Sequence, residues 1–243
     1  MIKNNKTKMN FSKLALPLLM SSIIFLFSCK KVQDAEQPAQ NGLVSFYNFQ
    51  GNADDVFGNN NGIDHNVRYL SLDFHNSNNQ VLLLTGINSY VKLPDSFDYE
   101  AKTINLWFNV IESTTVLGVI YSSDNPNLKY GLTLLNIQLI DSHNNLYFNV
   151  SNQQDTVEIA VNTWYNATIV TDGKKYIYYL NGNSIKSGDF NNYVSSSDGN
   201  PTAELGCDRY LNQRFFNGLV GNLRIYNRKL SDNEIKVLYK AKD

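Results

Sequence analysis

An Asn-, Asp- and Gly-rich segment at residues 51–62, GNADDVFGNNNG, has the residue types that could bind a metal ion. Carboxylate, amide and backbone carbonyl oxygens are the ligands of Ca²⁺, which takes about six to eight of them. Asn and Asp also form tight turns in which their side chains bond to the nearby backbone, and Gly-rich segments serve as flexible linkers. The sequence alone therefore leaves three interpretations open: a metal loop, a turn or a linker.

Acidic residues could instead cleave glycosidic bonds, but their spacing does not favour this chemistry. Retaining glycosidases hold two carboxylates about 5–5.5 Å apart, often on one strand as Glu-x-Asp-x-x-Glu, and no Glu of the chain has that arrangement. Glu158 is embedded in an apolar strand, where we expect it to face water. His65, His75 and His143 lack the spacing of a zinc site, and Cys207 is more typical of a small buried residue than of a nucleophile. We therefore predict no catalytic residues and no enzyme activity.

Aromatic residues are the richest remaining feature, with 15 Tyr, 13 Phe and 2 Trp. Sugar rings stack on aromatic planes, and Asn, Asp and Gln bind sugar hydroxyls, although aromatic residues also fill the cores of β-sandwiches. Strand alternation and loop placement select the predicted ligand-binding residues, which are Tyr179, Tyr130, Tyr210 and Arg209.

The first forty residues have the pattern of an export signal followed by a tether. Four lysines precede an apolar run at 14–27 that is too short to cross a bilayer, as in signal peptides. Leu26-Phe27-Ser28-Cys29 resembles the bacterial lipobox, in which cleavage occurs before a lipidated Cys; the alternative is an ordinary secretory signal. We predict a signal peptide at 1–28 and a lipidated Cys29 with a polar tether at 29–40. Because Lys30 replaces the Asp that retains enterobacterial lipoproteins in the inner membrane, the resemblance implies an outer-membrane lipoprotein, on the cell surface or the periplasmic face.

The charge of the chain argues against nucleic acid as a partner. The formal net charge of the whole sequence is −1, and removal of the basic leader leaves the domain mildly acidic. Proteins that bind nucleic acid usually carry a basic patch. With lipid on Cys29, Cys207 would have no disulfide partner, so the fold must depend on its core.

Short β-rich runs separated by Asn-, Asp-, Gly- and Ser-rich turns fill the chain after residue 41, which predicts an all-β sandwich or barrel. The predicted strands include 43–49, 81–84, 90–93, 103–110, 116–121, 130–135, 146–150 and 157–161. Asp172-Gly173 and Asn181-Gly182 supply positive φ for type I′ hairpin turns and divide residues 162–188 into three antiparallel strands. The middle strand is apolar on both faces.

A short helix is predicted near the C-terminus. Ser231 with Glu234 three residues later forms a capping box, and Leu230 with Ile235 forms the flanking hydrophobic staple. The apolar side of this helix would dock on the sandwich.

Several segments occur together in a recognisable order along the chain. They are Gly42-Leu43-Val44, the loop at 51–62, Asn105-Leu106-Trp107-Phe108, Trp164-Tyr165, Phe216-Asn217-Gly218 and Leu223-Arg224-Ile225-Tyr226. Together they resemble the laminin-G-like group of the concanavalin A-like lectin/glucanase superfamily over residues 42–240. The resemblance implies that residues 41–243 form a jelly-roll β-sandwich of two antiparallel sheets with a short C-terminal helical turn. It also implies that Trp107 and Trp164 are core residues. This fold hosts lectins, adhesion domains and enzymes, so it specifies function only weakly.

The resemblance places the Asn- and Asp-rich loop inside the domain and so excludes a linker. In many relatives, an Asp and backbone carbonyls of this loop hold Ca²⁺ together with an Asp of the last strand. The implied metal ligands here are Asp55, Asn59 and Asn222. Asn222 stands where the family usually has Asp, which removes a negative charge and should lower the affinity. We expect Ca²⁺ as a structural ion, with a turn held by Asx hydrogen bonds as the alternative.

We predict a non-catalytic cell-envelope protein that binds carbohydrate, in particular polysaccharide. The first alternative is a protein-interaction or adhesion domain, and the second is a carbohydrate-active hydrolase whose site the sequence does not display. The expected partners are a glycan, the membrane through the lipid anchor and, in the first alternative, a protein.

Overall fold

The computed structural model describes residues 37–74, 77–94, 97, 99–112, 118–123, 134–140, 143–150, 153–189, 202–209 and 213–241. These residues belong to one compact unit, Ala35–Asp243. The predictions for the signal peptide, Cys29, most of the tether, His75, Tyr130 and Tyr210 fall outside the described residues.

Within those ranges the chain forms fifteen strands and one helix. They are β1 (Leu43–Tyr47), β2 (Ile63–His65), β3 (Arg68–Phe74), β4 (Ser77–Thr85), β5 (Tyr90–Leu93), β6 (Ala101–Val110), β7 (Gly118–Ser122), β8 (Leu134–Ile140), β9 (His143–Val150), β10 (Gln153–Ile159), β11 (Trp164–Asp172), β12 (Lys175–Leu180), β13 (Asn183–Asp189), β14 (Ala203–Leu205), β15 (Asn217–Tyr226) and α1 (Asp232–Lys240). In the part of the chain that the structure describes, no helix is long and apolar enough to cross a membrane.

The strands form two antiparallel sheets. Counting described residues, the first sheet has eight strands in the order β13-β12-β11-β6-β15-β4-β3, with β1 also paired to β15. The second has seven, in the order β10-β9-β8-β7-β14-β5-β2. This arrangement confirms the predicted all-β fold of two antiparallel sheets.

The main core lies between the two sheets. Leu106 and Phe108 of the first sheet are fully buried in one cluster with Val91 and Leu205 of the second sheet. Alternation along each strand sends the intervening side chains to the outer faces. The two outer faces are therefore the surfaces on which a ligand site could be built.

The helix α1 covers part of the outer face of the first sheet. Its Ile235 and Leu238 are buried with Tyr179 and Tyr226 of that face. The predicted capping box is present, because Ser231 accepts from the backbone of Glu234 and the Glu234 side chain accepts from the backbone of Ser231. The neighbouring guanidinium of Arg228 is the largest influence on Glu234 and holds its pKa at about 2.

The two predicted hairpin turns differ in type. Asn181 and Gly182 have φ values of 51° and 74°, as the predicted type I′ turn requires. In the other turn only Gly173 has positive φ, at 85°, and it precedes Lys174 at the centre of the loop between β11 and β12. Positive φ at the first central position alone is typical of a type II′ turn, so the type I′ prediction was wrong there.

Trp107 and Trp164 do not lie in the main core. They belong to a smaller cluster with Val81 and Leu219, and the Trp107 ring stacks on Tyr239 of α1 at 5.5 Å. Trp107 alternates with the core residues of β6 and so faces outward. The expectation of core tryptophans is corrected: they lie on the outer face of the first sheet, partly under the helix.

Candidate functional site

The Asn- and Asp-rich loop is organised around the carboxylate of Asp55, which is 7% exposed. Asp55 Oδ1 accepts hydrogen bonds from the backbone N–H groups of Phe46 (2.9 Å), Phe57 (3.1 Å) and Gly58 (2.9 Å), and Oδ2 accepts from Asn60 (3.2 Å). Burial would raise the pKa of Asp55, but these donors outweigh it, those of Gly58 and Phe46 most strongly, and the pKa lies below its ordinary value. The carboxylate therefore holds the loop against β1.

The structure shows where the three predicted calcium ligands lie. Asn59 is exposed, and Asn222 is 3% exposed in a β-bulge of β15, where the strand changes partner from β4 to β1. Strand β1 lies between Asp55 and β15, because Asp55 pairs with Tyr47 of β1 and Tyr47 pairs with Leu223 of β15. Two strand spacings separate the backbones of Asp55 and β15 by about 10 Å.

The donor set around Asp55 does not fit a calcium ion in this arrangement. Three backbone N–H groups converge on Oδ1 and one on Oδ2, so a cation at this carboxylate would have to displace donors or share the oxygens with them. Among the described residues, no three His, Cys, Asp or Glu side chains come together as a metal site. The geometry favours the Asx-turn alternative, and Ca²⁺ stays a prediction for chelation to test.

Tyr179 occupies the face that alternation predicts, but α1 covers it. The ring is 2% exposed, and its hydroxyl donates to Asp232 Oδ1 at 2.7 Å. Burial and then the Asp232 carboxylate raise its pKa. The expectation of a solvent-facing Tyr179 is corrected, because the ring is a docking surface for the helix and presents no plane to a ligand.

Arg209, the remaining predicted binding residue, lies beside a polar group on the outer face of the second sheet. That group is centred on Glu204 of β14, whose neighbours Ala203 and Leu205 belong to the main core. Glu204 is 9% exposed and pairs across the sheet with Lys92 and Ser122. We call this surface the Glu204 face; its described side chains are His65, Tyr90, Lys92, Ser122, Glu204, Cys207, Arg209 and Phe215.

The thiol of Cys207 donates to the Glu204 carboxylate, with Sγ 3.0 Å from Oε2. Burial raises the pKa of Cys207, and the neighbouring carboxylate of Glu204 raises it further. Burial is also the largest influence on the pKa of Glu204, which it raises. The thiol, Lys92 and Arg209 oppose the shift of Glu204 without cancelling it. Cys207 therefore stays a protonated donor, as expected for a buried residue rather than a nucleophile.

Aromatic rings adjoin this carboxylate. His65 of β2 stacks on Tyr90 of β5, with ring centroids 4.3 Å apart and an interplanar angle of 10°. The ring centroid of Phe215 lies 6.3 Å from that of Tyr90, with the two planes tilted by 33°. Lys92, the cross-strand partner of Glu204, lies two residues along β5 from Tyr90 and on the same face. Burial raises the pKa of Tyr90, and the charge of Glu204 raises it further.

Arg209 is positioned by two hydroxyl groups. Its backbone N–H donates to Ser122 Oγ at 3.2 Å, and its Nε donates to Thr202 Oγ1 at 3.1 Å. The Glu204 face thus combines a half-buried aromatic group with a carboxylate and two cations. This combination can stack against an apolar ring face and bond to hydroxyl groups at the same time.

The nearby acidic residue is already engaged. Asp208 is 4% exposed, and its Oδ2 forms an ion pair with Arg214 at 3.3 Å. Glycosidases of both stereochemical classes need two carboxylates that work across one bond. Here the two neighbouring carboxyl groups are Glu204 and Asp208, and Asp208 is held in an ion pair.

Comparison with solved structures finds the same fold in proteins of several kinds. Domain 4 of AbnA, a GH43 extracellular arabinanase from Geobacillus stearothermophilus solved in complex with arabinotriose, has a TM-score of 0.63 and 21% identity, over 84% of this chain and 100% of that domain. A mutant Trypanosoma rangeli sialidase displaying trans-sialidase activity has a TM-score of 0.62 and 16% identity, over 83% of this chain and 33% of the sialidase. The binding domain of botulinum neurotoxin serotype D has a TM-score of 0.59 and 14% identity, over 82% of this chain and 52% of that domain. Similarities at these identities show a shared fold.

Sequence comparison identifies the family. No curated protein is significantly similar to the chain. Residues 85–236 match the laminin-G-type family model described as concanavalin A-like lectin/glucanases, a segment that runs from the end of β4 into α1. This segment makes up more than half of the chain and includes Glu204 and Tyr90, so the protein belongs to the concanavalin A-like lectin/glucanases superfamily.

Proposed function

We propose that the protein binds carbohydrate without cleaving it, and that the glycan lies on the Glu204 face. The observation that carries this proposal is the half-buried Tyr90, which stacks on His65 and lies two residues along β5 from Lys92, the cross-strand partner of the buried Glu204. A saccharide ring has an apolar C–H face and polar hydroxyl edges. Tyr90 offers the plane for the first, while Glu204, Lys92 and Arg209 offer an acceptor and donors for the second.

The known structures of the same fold are compatible with this proposal. The arabinanase domain was solved with arabinotriose, and the botulinum neurotoxin relative is named a binding domain. The arabinanase domain matches over its whole length, so it is a neighbour of comparable extent. These facts make arabinotriose a sensible member of any ligand panel.

The test is a glycan array probed with residues 35–243, the compact unit, followed by calorimetric titration of the glycans that bind. We expect Tyr90→Ala to weaken binding about tenfold, because an aromatic stacking contact contributes about 1.4 kcal/mol. The matched control is Phe57→Ala, since Phe57 is 47% exposed and belongs to the Asp55 loop, not to the Glu204 face.

The possible results separate function from site. Binding that Tyr90→Ala leaves unchanged would place the glycan elsewhere on the protein. Silence of the folded protein across the whole array would contradict glycan binding and favour a protein partner. Shorter products after incubation with a bound oligosaccharide would contradict the non-catalytic role.

We also propose that Cys29 is lipidated and anchors the protein in the outer membrane. The supporting observation is the Leu-Phe-Ser-Cys sequence at the end of a basic and then apolar leader. We expect the protein to incorporate labelled palmitate in bacterial cells and Cys29→Ser to lose both the label and the membrane fraction. Cys207→Ala removes the other cysteine of the chain and should keep both. Absence of label from the wild-type protein would contradict the anchor.

A further inference from the structure

The chain contains four Asn-Gly pairs, at 41–42, 61–62, 181–182 and 217–218, and all four lie among the described residues. In such a pair the backbone nitrogen of the glycine can attack the side-chain amide of the asparagine, because the glycine has no Cβ to hinder the approach. The reaction converts the asparagine to an acidic residue without any enzyme. Whether it occurs in a folded protein depends on how each pair is held.

The pair in the Asp55 loop is held at both reacting groups. Asn61 Oδ1 accepts a hydrogen bond from the backbone N–H of Asp55 at 3.0 Å. The backbone N–H of Gly62 donates to the carbonyl of Ala53 at 2.8 Å. The loop must therefore open before the nitrogen can reach the amide.

The two pairs further along the chain are restrained by the first sheet and the helix. Asn181 Oδ1 accepts from the backbone N–H of Asn166 at 2.9 Å. Gly182 is buried, and a Cβ added to it would lie 3.1 Å from Tyr239 Cβ of α1. Gly218 is buried within β15 and pairs with β4 on one side and β6 on the other. Attack by either glycine nitrogen would require local unfolding.

The pair Asn41-Gly42 is not restrained in this way. Asn41 is exposed, and neither its side-chain amide nor the N–H of Gly42 bonds to any described residue. Both residues lie at the centre of a turn that the N–H of Leu43 closes onto the carbonyl of Gln40 at 3.1 Å. Gly42 has a φ of 76°, as the second central position of a type II turn requires. The fold therefore leaves both reacting groups of this pair unengaged.

Arg228 holds this turn from the C-terminal part of the domain. Its Nε donates to the carbonyl oxygen of Asn41 at 2.7 Å, and its Nη groups form an ion pair with Glu234. The stem of Arg228 covers Gly42, since a Cβ added to Gly42 would lie 2.8 Å from Arg228 Cγ. Both packing and φ thus require a glycine at position 42, whereas no described side-chain contact requires an asparagine at position 41.

The contact with Arg228 favours the reaction because of where negative charge develops. Loss of the proton from the Gly42 N–H leaves an amidate, whose charge is shared with the carbonyl oxygen of Asn41. A guanidinium that is already bonded to this oxygen stabilises the charge as it forms. A fixed cation therefore lies on the Asn-Gly pair whose reacting groups the fold leaves unengaged.

We propose that Asn41 is a site of spontaneous deamidation that Arg228 activates. The Gly42 nitrogen loses its proton to hydroxide and attacks Asn41 Cγ, so that a C–N bond forms. The bond from Cγ to Nδ2 breaks, and Nδ2 takes a proton from water and leaves as ammonia. Water then opens the resulting succinimide at either of its carbonyl groups, which gives an aspartyl or an isoaspartyl residue at position 41. The sequence of steps needs no oxidant or reductant.

The product adds a carboxylate at the junction between the predicted tether and the domain. This carboxylate would compete with Glu234 for Arg228, and the isoaspartyl form would also lengthen the main chain just before β1. The modified fraction would increase with the age of the protein. The inference goes beyond the proposed glycan binding and does not depend on it, because Asn41 and Arg228 do not belong to the Glu204 face.

Peptide mapping by mass spectrometry tests this proposal. The full chain is incubated in detergent in mildly alkaline buffer, and it is then digested at mildly acidic pH to prevent deamidation during digestion. In the folded protein we expect Asn41 to react at least about tenfold faster than the other three asparagines, because those must first open locally. In the same chain unfolded in guanidinium chloride, the four pairs should react at similar rates. Asn41→Gln is the matched control and should remove the product at position 41 without changing the unfolding midpoint.

Arg228→Met separates activation by the guanidinium from accessibility alone. The variant keeps an unbranched side chain over Gly42 and removes the donor to Asn41. We expect deamidation of folded Asn41 to slow at least about threefold, because the developing charge loses its partner. The rate in the unfolded chain should not change. If Arg228 only restrained the turn, its replacement would instead speed the reaction.

Hydrogen exchange measured by NMR gives a second readout that needs no variant. Base-catalysed exchange of the Gly42 N–H passes through the same amidate as deamidation. We therefore expect this N–H to exchange faster in the folded wild type than in the unfolded chain at the same pH, which is opposite to the usual protection by folding.

Three results would overturn the proposal. The first is an intact Asn41 in the folded protein after an incubation that deamidates the unfolded chain. The second is a reaction at Asn41 no faster than at the other three pairs of the folded protein. The third is a rate in Arg228→Met equal to or above that of the wild type or, if this variant does not fold, exchange at Gly42 no faster in the folded wild type than in the unfolded chain.

Discussion

Replacement of Asp55 by Ala is expected to lower the free energy of unfolding by about 4 kcal/mol, a large part of the stability of a domain. The substitution removes the acceptor of four backbone N–H groups, at Phe46, Phe57, Gly58 and Asn60, and leaves them without a partner in a part-buried loop. Urea unfolding monitored by circular dichroism measures the change. The matched control is Asp54→Ala, because Asp54 is exposed and should change stability by less than about 0.5 kcal/mol.

The contribution of Asp55 should also depend on pH in a defined direction. Its pKa in the folded protein lies below the ordinary value of 3.8. The stabilisation is therefore fully present above pH 3.8 and is lost as the pH falls through the lower pKa of the folded state. The gap in stability between the wild type and Asp55→Ala should narrow in that acid range, by the part of the stabilisation that depends on the charge of Asp55. A stability gap that does not narrow there, or a gap no larger than that of Asp54→Ala, would contradict the role assigned to the carboxylate.

The same variants test the proposed structural Ca²⁺. If Ca²⁺ uses Asp55, added calcium should raise the unfolding midpoint of the wild type and leave Asp55→Ala unchanged, and a chelator should reverse the gain. A wild-type midpoint that responds to neither calcium nor chelator would leave the Asx turn as the complete account of the loop.

Local patterns in the sequence predicted the all-β class, individual turns and the C-terminal helix, whereas the arrangement in two antiparallel sheets was predicted from the family resemblance. The Asn181-Gly182 turn and the capping box of Ser231 with Glu234 depend on residues that are close in sequence, and both are present. Strands β11, β12 and β13 follow from the turn signals and from alternation, which also predicts that both faces of β12 are covered. Such features need no knowledge of distant parts of the chain.

Long-range packing explains why the site predictions were less successful. Alternation places Tyr179 on the outer face of its sheet, but it cannot show that α1, some fifty residues later, covers that face. The family resemblance likewise implied that Trp107 and Trp164 are core residues, whereas both belong to a cluster on the outer face of the first sheet, where Trp107 stacks on Tyr239 of α1.

The sequence did not predict the Glu204 face, because the strands that carry Glu204 and His65 are short and far apart along the chain. Glu158 was the acidic residue noted within an apolar strand, and the structure places it exposed on β10. Glu204 lies in a strand of three residues, too short for a periodic signal, and His65 lies in another. The alternation of Ala203-Glu204-Leu205 is the local signal that could have identified it.

Glu204→Gln is expected to weaken glycan binding about thirtyfold while making the protein more stable at neutral pH. The affinity should fall because a carboxylate that accepts from sugar hydroxyls contributes about 2 kcal/mol as a charged acceptor, and the amide loses that charge. The stability should rise because Glu204 is buried, and burial raises its pKa above the ordinary 4.5 despite Cys207, Lys92 and Arg209. Calorimetry and urea unfolding of the same preparation measure the two effects.

The sign of the stability change follows from that shift. A carboxyl whose pKa is raised in the folded state destabilises the fold above that raised pKa, and the penalty disappears below the unfolded value of 4.5. Glu204→Gln should thus be more stable than the wild type at neutral pH and lose this advantage below pH 4.5.

Glu158→Gln makes the same substitution at an exposed position of the same sheet and should change neither glycan affinity nor stability. Unaltered glycan affinity in Glu204→Gln would remove the carboxylate from the site, whereas reduced stability at neutral pH would show that its charge is needed by the fold. Opposite changes in affinity and stability are what a residue retained for binding rather than for folding should produce.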